Sequence, residues 1–393
     1  MKTNLIQDKK VFYAGLIYFI TVVLYITARI IWSAGAFSAL DPIFNDLLFS
    51  TIVQVFIVGG FPFFMWKILN KQTFKQTAER FFFKKVSFKT ILASLALGVL
   101  LYILIIFVST FWNTLIGFLG YAPSSGSATT SLPTWLAFLI TTISTALMPG
   151  FCEETSNRGL LLGNMRNNGL KRAILLSALM FGLMHLNIMQ FGHAFVSGLI
   201  LGAVTYISRS IFPAMIMHGV SNFCSVYLDY ATAYNWWGGG IMEAVSNFFL
   251  NSSIFVSLIL SFLIFAIVLV CIAMLISVIF VENKRSKFAR FRKNLYESVK
   301  GTEMENSINF NNTAQMLDLY NKASASDLKD KIESGKIPLG HLEHEVAGGA
   351  INTMIYSEID EYKKPNPFDY IFYYMSICMM TIITIATFIW GAL

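Results

Sequence analysis

Two adjacent carboxylates lie in a stretch that is otherwise apolar enough to sit in a membrane. Glu153 and Glu154 are followed one helical turn later by Arg158. Ionisable groups at membrane depth are costly, so they usually face a cavity and serve a function. These three side chains are therefore candidates for chemistry, although an internal ion pair that only closes a helix bundle is an alternative.

Two further stretches could supply partners for the carboxylates. Phe181 precedes His185 by four residues, and His218 precedes Asn222 by four, which places each pair on one helix face. Imidazole and carboxylate groups can hold or activate water, and amide donors can stabilise an oxyanion. The combined pattern favours hydrolysis, whereas each histidine alone could be a packing hydrogen bond between helices.

The depth of these groups can be counted from the nearest basic loops. At 1.5 Å per residue, Glu154 lies roughly 20 Å, His185 roughly 21 Å and His218 roughly 13 Å from the same membrane face. The three side chains can therefore meet at comparable depth.

Composition places the chain among membrane proteins. It has 393 residues, of which 55% are hydrophobic and 13% charged, against about 25% charged in soluble domains. The predicted fold class is an all-α polytopic transmembrane helix bundle of eight or nine spans with a small cytoplasmic helical insertion. The predicted spans are 11–32, 47–69, 91–119, 135–166, 172–189, 193–208, 211–230, 254–281 and 370–391.

Lysine and arginine predict the orientation. They collect before the first span and after the second, fourth, sixth and eighth, whereas loops 33–46 and 120–134 have none. Because basic loops stay in the cytoplasm, the N-terminus is predicted inside and the C-terminus outside. The predicted location is integral, in a bacterial cell membrane. The net charge of +7 fits contact with the lipid bilayer, and no nucleic-acid partner is expected because no separate basic–aromatic surface is visible.

The fourth span is too long for one straight crossing. Pro149 and Gly150 predict a break, with residues 151–167 as the inner half-helix, because proline removes a backbone donor. Such breaks are tolerated where they line a cavity, and the new N-terminus would point its dipole at the glutamates. The cavity is expected to be filled with water and open to the cytoplasm.

A charged segment interrupts the apolar pattern near the end. Residues 284–364 hold 13 Lys/Arg and 12 Asp/Glu. The segment 283–368 is therefore predicted to be a water-exposed cytoplasmic insertion of helical character, able to bind a protein partner. His341 and His344 lie in it and are better explained as solvated residues than as a second metal site.

Three ordered motifs resemble a known family. Glu-Glu-x-x-x-Arg, Phe-x-x-x-His and His-x-x-x-Asn on successive helices look like the motifs of the CPBP intramembrane proteases. That family includes the CAAX prenyl endopeptidases and bacterial proteins associated with bacteriocin self-immunity. The resemblance covers roughly residues 90–230 and implies a membrane metalloendopeptidase of CAAX-protease type. Asn157 departs from it, since the family commonly has an aromatic residue there.

The resemblance also implies roles for the first two motifs. Glu153 with His185 would position and activate the attacking water. Glu154 would support that charge or bind a metal, and Arg158 would fix the glutamate pair.

The third motif completes the implied catalytic set. His218 and Asn222 would stabilise the oxyanion. A divalent metal, with zinc as the chemically reasonable ion, would have Glu154, His185 and His218 as ligands. His193 matches no motif and is interpreted as structural.

The predicted domains follow from these boundaries. They are N-terminal helices with a basic connector (1–90), a CPBP-type catalytic core (91–230), an outer loop with the eighth span (231–282), the insertion (283–368) and a C-terminal helix (369–393).

The predicted substrate is a peptide or membrane protein, prenylated or derived from a signal peptide. The alternative function is a non-catalytic membrane scaffold or self-immunity protein that binds a partner through 283–368. A transporter is a third interpretation, but it would predict paired repeats, which are not visible.

Overall fold

A computed structural model shows the chain as helical, without strands in the part that it describes. It describes residues 8–122, 130–165, 169–301, 308–312, 315–316, 318–319 and 366–392. The helices used below are α1 (Lys9–Ser33), α2 (Pro42–Leu69), α3 (Phe74–Arg80), α4 (Phe88–Phe118), α5 (Thr134–Met165), α6 (Leu170–Met184), α7 (Ile188–Ser208), α8 (Phe212–Tyr234), α9 (Gly239–Asn251), α10 (Ile254–Val299) and α11 (Ile371–Ala392). The predicted all-α membrane bundle is confirmed.

Local sequence accounts for where several helices begin. Asp8 accepts hydrogen bonds from backbone N–H groups at the start of α1, and Ser87 does the same at the start of α4. Thr73 and Gln76 form a reciprocal capping box at α3. These side chains satisfy backbone donors that the first helical turn leaves without partners.

Seven helices of the described residues are long and apolar enough to cross a membrane: α1, α2, α4, α5, α7, the first part of α10, and α11 with the turn before it. The predicted spans 172–189 and 211–230 correspond to α6 and α8, which lie outside this set. Helix α6 has only 15 residues, and α8 carries a histidine and an asparagine within its apolar run. Helix α6 leads to His185, and α8 carries His218. By length and apolar composition, these two helices are thus the least suited of the nine predicted spans to cross a membrane.

The predicted break at Pro149 is wrong. Helix α5 is continuous through Pro149 and Gly150, and the backbone at Leu147 and Met148 is right-handed helical. Instead, π-helical stretches lie on either side, at Thr142–Leu147 and at Thr155–Leu162. The wider π-turn before Pro149 absorbs the missing backbone donor without ending the helix. No half-helix therefore starts at residue 151, and the expected dipole effect on the glutamates does not apply.

Helix α5 is the centre of the bundle and packs between α2 and α8. One contact of α5 with α2 joins Met148 to Thr51, and a later one is Ser156 Oγ donating to the Val58 carbonyl at 2.6 Å. Residue numbers at the contacts therefore increase together along the two helices, so α2 and α5 are parallel.

Helix α8 runs antiparallel to α5. Thr141 and Tyr230 share a hydrogen bond of 3.3 Å between their hydroxyls near one end. Gly150 lies against Gly219 near the middle, where the absence of both side chains lets the two backbones approach closely. This close crossing brings the glutamates of α5 to the level of His218 on α8.

The connector between α3 and α4 ties one end of the bundle together. Arg80 Nε donates to Asn164 Oδ1 at 2.8 Å, and the Ile211 N–H donates to the Phe82 carbonyl at 2.9 Å. Phe81 and Phe82 are buried rather than exposed to lipid headgroups. This end also carries the basic loops of the sequence.

The chain groups into two compact units. One comprises Met1–Ile279 with Lys363–Leu393, and the other comprises Phe280–Tyr362. The histidines His341 and His344 of the predicted insertion lie outside the described residues.

The close crossing of α5 and α8 gives a first test. A methyl group on Gly150 would lie 2.8 Å from the Gly219 backbone nitrogen, whereas on Gly117 it would meet nothing within 4 Å. Gly150→Ala should lower stability by about 1–3 kcal/mol through overpacking, as measured by thermal unfolding in detergent. Gly117→Ala is the control and should not lower the melting temperature. Equal melting of the two variants would contradict the packing.

The loop before α2 gives a pH-dependent test. Two effects act on the pKa of the Asp41 carboxyl. Partial removal from water raises it, but hydrogen bonds from Ser131, Ile43 and Thr130 outweigh that effect. The net pKa is therefore below its ordinary value. Asp41 thus contributes stability that is present above pH ~4 and lost as pH falls through the lowered pKa. The stability advantage of wild type over Asp41→Asn should shrink on acidification below pH ~4. A constant difference across that range would contradict the assignment.

Candidate active site

Glu154 is the buried anchor of the site. Its Oε1 accepts hydrogen bonds from Arg158 Nη1 at 2.8 Å and from His218 Nδ1 at 3.0 Å. Glu154 and Arg158 are both 0% exposed. Because an ionised carboxylate only accepts hydrogen bonds, His218 carries a proton on Nδ1, and Nε2 is the ring nitrogen left for other partners.

Arg158 links three helices around the second motif. Its Nη2 donates to the Gly198 carbonyl of α7 at 3.1 Å, and its guanidinium lies 4.5 Å from the centre of the Phe181 ring on α6. The edges and faces of Phe181 also meet His185 and His218, with ring centres 5.3 and 5.6 Å apart. Phe181 therefore packs against the cation and both imidazoles at once.

Glu153 differs from Glu154 in its environment. Its Oε1 accepts a hydrogen bond from Gln54 Nε2 of α2 at 2.8 Å, and its Oε2 has no hydrogen-bond partner. Glu153 lines a cavity, whereas Glu154 and Arg158 do not. One carboxylate oxygen of Glu153 is thus fixed by Gln54, and the other is buried without a hydrogen-bond partner.

His185 follows the last residue of α6, where the chain turns toward α7. Its Nδ1 lies 3.0 Å from the Phe181 carbonyl, which can only accept a hydrogen bond. Nδ1 therefore donates, and Nε2 is the ring nitrogen left for other partners. The turn after it places Leu186 at a φ of 53°, which ends the helix within the bundle.

Asn222 lies one turn beyond His218 on α8. Its Nδ2 donates to the Thr145 carbonyl of α5 at 3.1 Å. A side-chain amide has two N–H donors, so one donor of Asn222 is left besides the one that Thr145 accepts. The contact with Thr145 orients that amide.

The two histidines, Glu153 and Asn222 share a cavity of about 380 Å³. Helices α2, α4, α5, α6, α7 and α8 contribute to its wall. Additional polar residues in the wall are Ser50, Tyr102, Ser144, Thr145, Gln190, His193, Ser197, Ser221 and Ser225. The structure thus brings four of the six predicted catalytic residues into one cavity and places Glu154 and Arg158 behind its wall.

The residues predicted as metal ligands were Glu154, His185 and His218. Within the described part of the chain, no group of three His, Cys, Asp or Glu side chains is placed to hold a metal ion. Glu154 uses Oε1 for both Arg158 and Nδ1 of His218, and its Oε2 is buried without a hydrogen-bond partner. The arrangement does not fit the predicted zinc set, and zinc stays a prediction.

Asn157 connects the first motif to α1. Its Nδ2 donates to the Glu153 carbonyl at 2.8 Å, and its Oδ1 lies 3.5 Å from the Tyr18 hydroxyl. The Ser177 hydroxyl donates to the Asn157 carbonyl at 2.8 Å. Asn157 therefore stabilises the helix at Glu153 rather than facing the cavity.

A comparison with protein families identifies one matching segment of the chain. Residues 134–224 match the family described as Type II CAAX prenyl endopeptidase Rce1-like. The segment matches the CAAX protease family. It contains both glutamates and the two motif histidines, His185 and His218, and the resemblance inferred from the three motifs is confirmed over this range. No curated protein and no solved structure gave a match.

Two cavity-related residues were missed by sequence reasoning. Gln54 lies in a helix with no recognisable motif, and only its polarity within an apolar run could have indicated it. His193 was interpreted as structural. Its Nδ1 does bond Ser109 Oγ at 3.0 Å, but the ring also lines the cavity.

The different environments of the two glutamates can be tested by stability. Glu154→Gln would leave the buried Arg158 without its counter-charge and should cost about 3–5 kcal/mol. Glu153→Gln keeps an oxygen for Gln54 and should change the melting temperature little. Thermal unfolding of both variants in detergent measures the difference, and similar melting of the two would show that Glu154 is not the anchor.

Proposed function

We propose that the protein is an intramembrane endopeptidase that hydrolyses a peptide bond in or next to the membrane. The observation that carries this proposal is Glu153, with one oxygen fixed by Gln54 and the other without a partner, in one cavity with His185, His218 and Asn222. Carboxylate, imidazole and amide groups converging on one polar cavity are what peptide hydrolysis needs.

The first step is activation of water. The bare Oε2 of Glu153 accepts a proton from a water molecule that His185 Nε2 helps to hold. The water oxygen then bonds to the carbonyl carbon of the scissile peptide. The carbonyl double bond opens, and its oxygen becomes an oxyanion. General-base assistance of this kind contributes about 10²–10⁴-fold to rate.

The second step is stabilisation of that oxyanion. The N–H of Asn222 that Thr145 does not use is one donor. When His218 carries a proton on both nitrogens, Nδ1–H stays on Glu154 and Nε2–H is the second donor. Removing one oxyanion donor in proteases typically costs about 10²–10³-fold in kcat.

Collapse of the intermediate completes the reaction. The carbonyl re-forms, the C–N bond breaks, and the proton held by Glu153 moves to the leaving nitrogen. The products are a carboxylic acid and an amine. Glu153 thus acts as base and then as acid, a role that requires a carboxylate reached by substrate and water.

The catalytic roles predict which substitutions abolish cleavage. Glu153→Gln and His185→Ala should each lower the turnover of a fluorogenic membrane peptide at least 10²-fold, because the water loses its base or its holder. Purified protein in liposomes would be compared with wild type. Glu243→Gln, an exposed carboxylate of α9, is the control and should keep full turnover.

Two outcomes would contradict the proposal. Unchanged turnover in Glu153→Gln would exclude its role as base. A cellular phenotype fully restored by Glu153→Gln would instead favour the non-catalytic scaffold or self-immunity function.

A further inference from the structure

The cavity is closed at one end and becomes more open toward the other. Along α8, His218 and Ser221 are buried at 7% and 2% exposure, whereas the next lining residues, Asn222 and Ser225, are half-buried. Exposure of the wall therefore rises toward the C-terminal end of α8.

On α7 the exposure of the lining residues also changes along the helix, but it rises toward the N-terminal end. Its lining residues Leu201 and Ser197 are buried, His193 is half-buried, and Gln190 is exposed. On α5 the lining residues Glu153, Pro149 and Ser144 are buried, and Thr145 is exposed. Along α7, the wall therefore opens toward the N-terminal end, where Gln190 lies.

Contacts between helices show that these ends coincide. Helices α4 and α8 pack against each other where Gly98 meets Met217 and Val220. Both helices begin at the connector between α3 and α4, where the Ile211 N–H bonds the Phe82 carbonyl. They are therefore parallel. Helix α4 is antiparallel to α7, since the Trp112 indole near its C-terminal end donates to the Ile188 carbonyl at 2.6 Å. The start of α7, the start of α5 and the end of α8 thus lie at one face of the bundle.

The other end of the cavity is sealed by packed side chains. Arg158 and the residues Leu160, Leu161 and Leu162 that follow it on α5 are all 0% exposed. Val204 of α7, beyond the last lining residue of that helix, is also 0% exposed. Closely packed, buried side chains therefore lie between Glu153 and this end of the bundle.

The two faces differ in charge. The sealed face is the end of the bundle at which α4, α6 and α8 begin. Its basic residues are Lys71, Lys75, Arg80, Lys84, Lys85, Lys89, Lys171, Arg172 and Arg209. The helix ends at the open face carry Asp41, Asp46, Asp229 and Glu243 with the single base Arg29. Under the positive-inside rule the sealed face is cytoplasmic.

We infer that the cavity opens on the extracytoplasmic side and takes a peptide segment that reaches it from there. This reverses the expectation of a cavity open to the cytoplasm. The substrate class is then a secreted, translocated or outer-leaflet peptide rather than a cytoplasmic one. The direction of opening rests on exposure and charge alone, whereas the cleavage of such a peptide rests on the proposed function.

Cysteine labelling tests the direction of opening in the full-length protein in membranes. In a background with the four native cysteines changed to alanine, Gln190→Cys and Ser225→Cys place thiols in the wall. Ser38→Cys marks the open face, and Lys75→Cys marks the basic connector. An impermeant maleimide is added to intact bacterial cells or to inverted membrane vesicles.

The expected result is labelling of both wall cysteines and Ser38→Cys in intact cells, at least 10-fold above labelling of Lys75→Cys, with the reverse ratio in inverted vesicles. Wall cysteines that label only together with Lys75→Cys, or that label from neither side, would overturn the inference. A Ser38→Cys that labels only in inverted vesicles would overturn it as well, because the open face would then be cytoplasmic.

A second measurement separates this inference from the proposed function. Peptide added outside intact cells should be cleaved by wild type. Cleavage should fall at least 10-fold after outside labelling of Ser225→Cys, and it should be lost in Glu153→Gln, whose wall cysteines still label as before. Outside labelling without any cleavage would contradict the endopeptidase and leave the direction of opening intact. Cleavage only of peptide sealed on the cytoplasmic side would overturn the extracytoplasmic substrate.

Discussion

The ion pair between Glu154 and Arg158 is the interaction on which the site depends. Both groups are fully buried, and neither could be left there alone, because an uncompensated buried charge costs several kcal/mol. Each partner also carries a second contact, Glu154 to His218 and Arg158 to Gly198. The pair therefore fixes the positions of α5, α7 and α8 relative to one another, and with them the cavity wall.

The ion pair also explains why two adjacent glutamates can have separate roles. Successive residues of a helix point about 100° apart, so Glu153 and Glu154 face different neighbours. Glu154 faces the cation, and Glu153 faces the cavity and Gln54. In the proposed mechanism Glu153 binds and releases a proton, whereas the hydrogen-bonded counter-charge Arg158 belongs to Glu154. The two roles are thus divided between neighbouring carboxylates.

The sequence predicted much of the fold and site because the signals were local. Long apolar runs predicted the bundle, and spacings of four residues predicted that Glu154 faces Arg158 and that His218 shares a face with Asn222. The predicted break at Pro149 was wrong because a helix can accommodate proline's missing N–H in two ways, by ending or by widening into a π-turn. Tertiary packing decides which of the two forms. Here the close approach of Gly150 to Gly219 requires a continuous helix. Gln54 could not be predicted, since its partner lies 99 positions away.

The position of α1 explains why Asn157 replaces the aromatic residue expected at this point of the motif. The resemblance to the CPBP proteases would put an aromatic ring at that position. In this chain Asn157 is fully buried, and the Tyr18 side chain from α1, also fully buried, lies beside it. The Tyr18 hydroxyl is also within hydrogen-bond distance of the Met180 carbonyl on α6. An aromatic residue thus packs beside the motif from a different helix, and the smaller Asn157 leaves room for it while its amide supports the backbone at Glu153. Helices outside residues 134–224 therefore complete the environment of the first motif, through Tyr18 on α1 and Gln54 on α2.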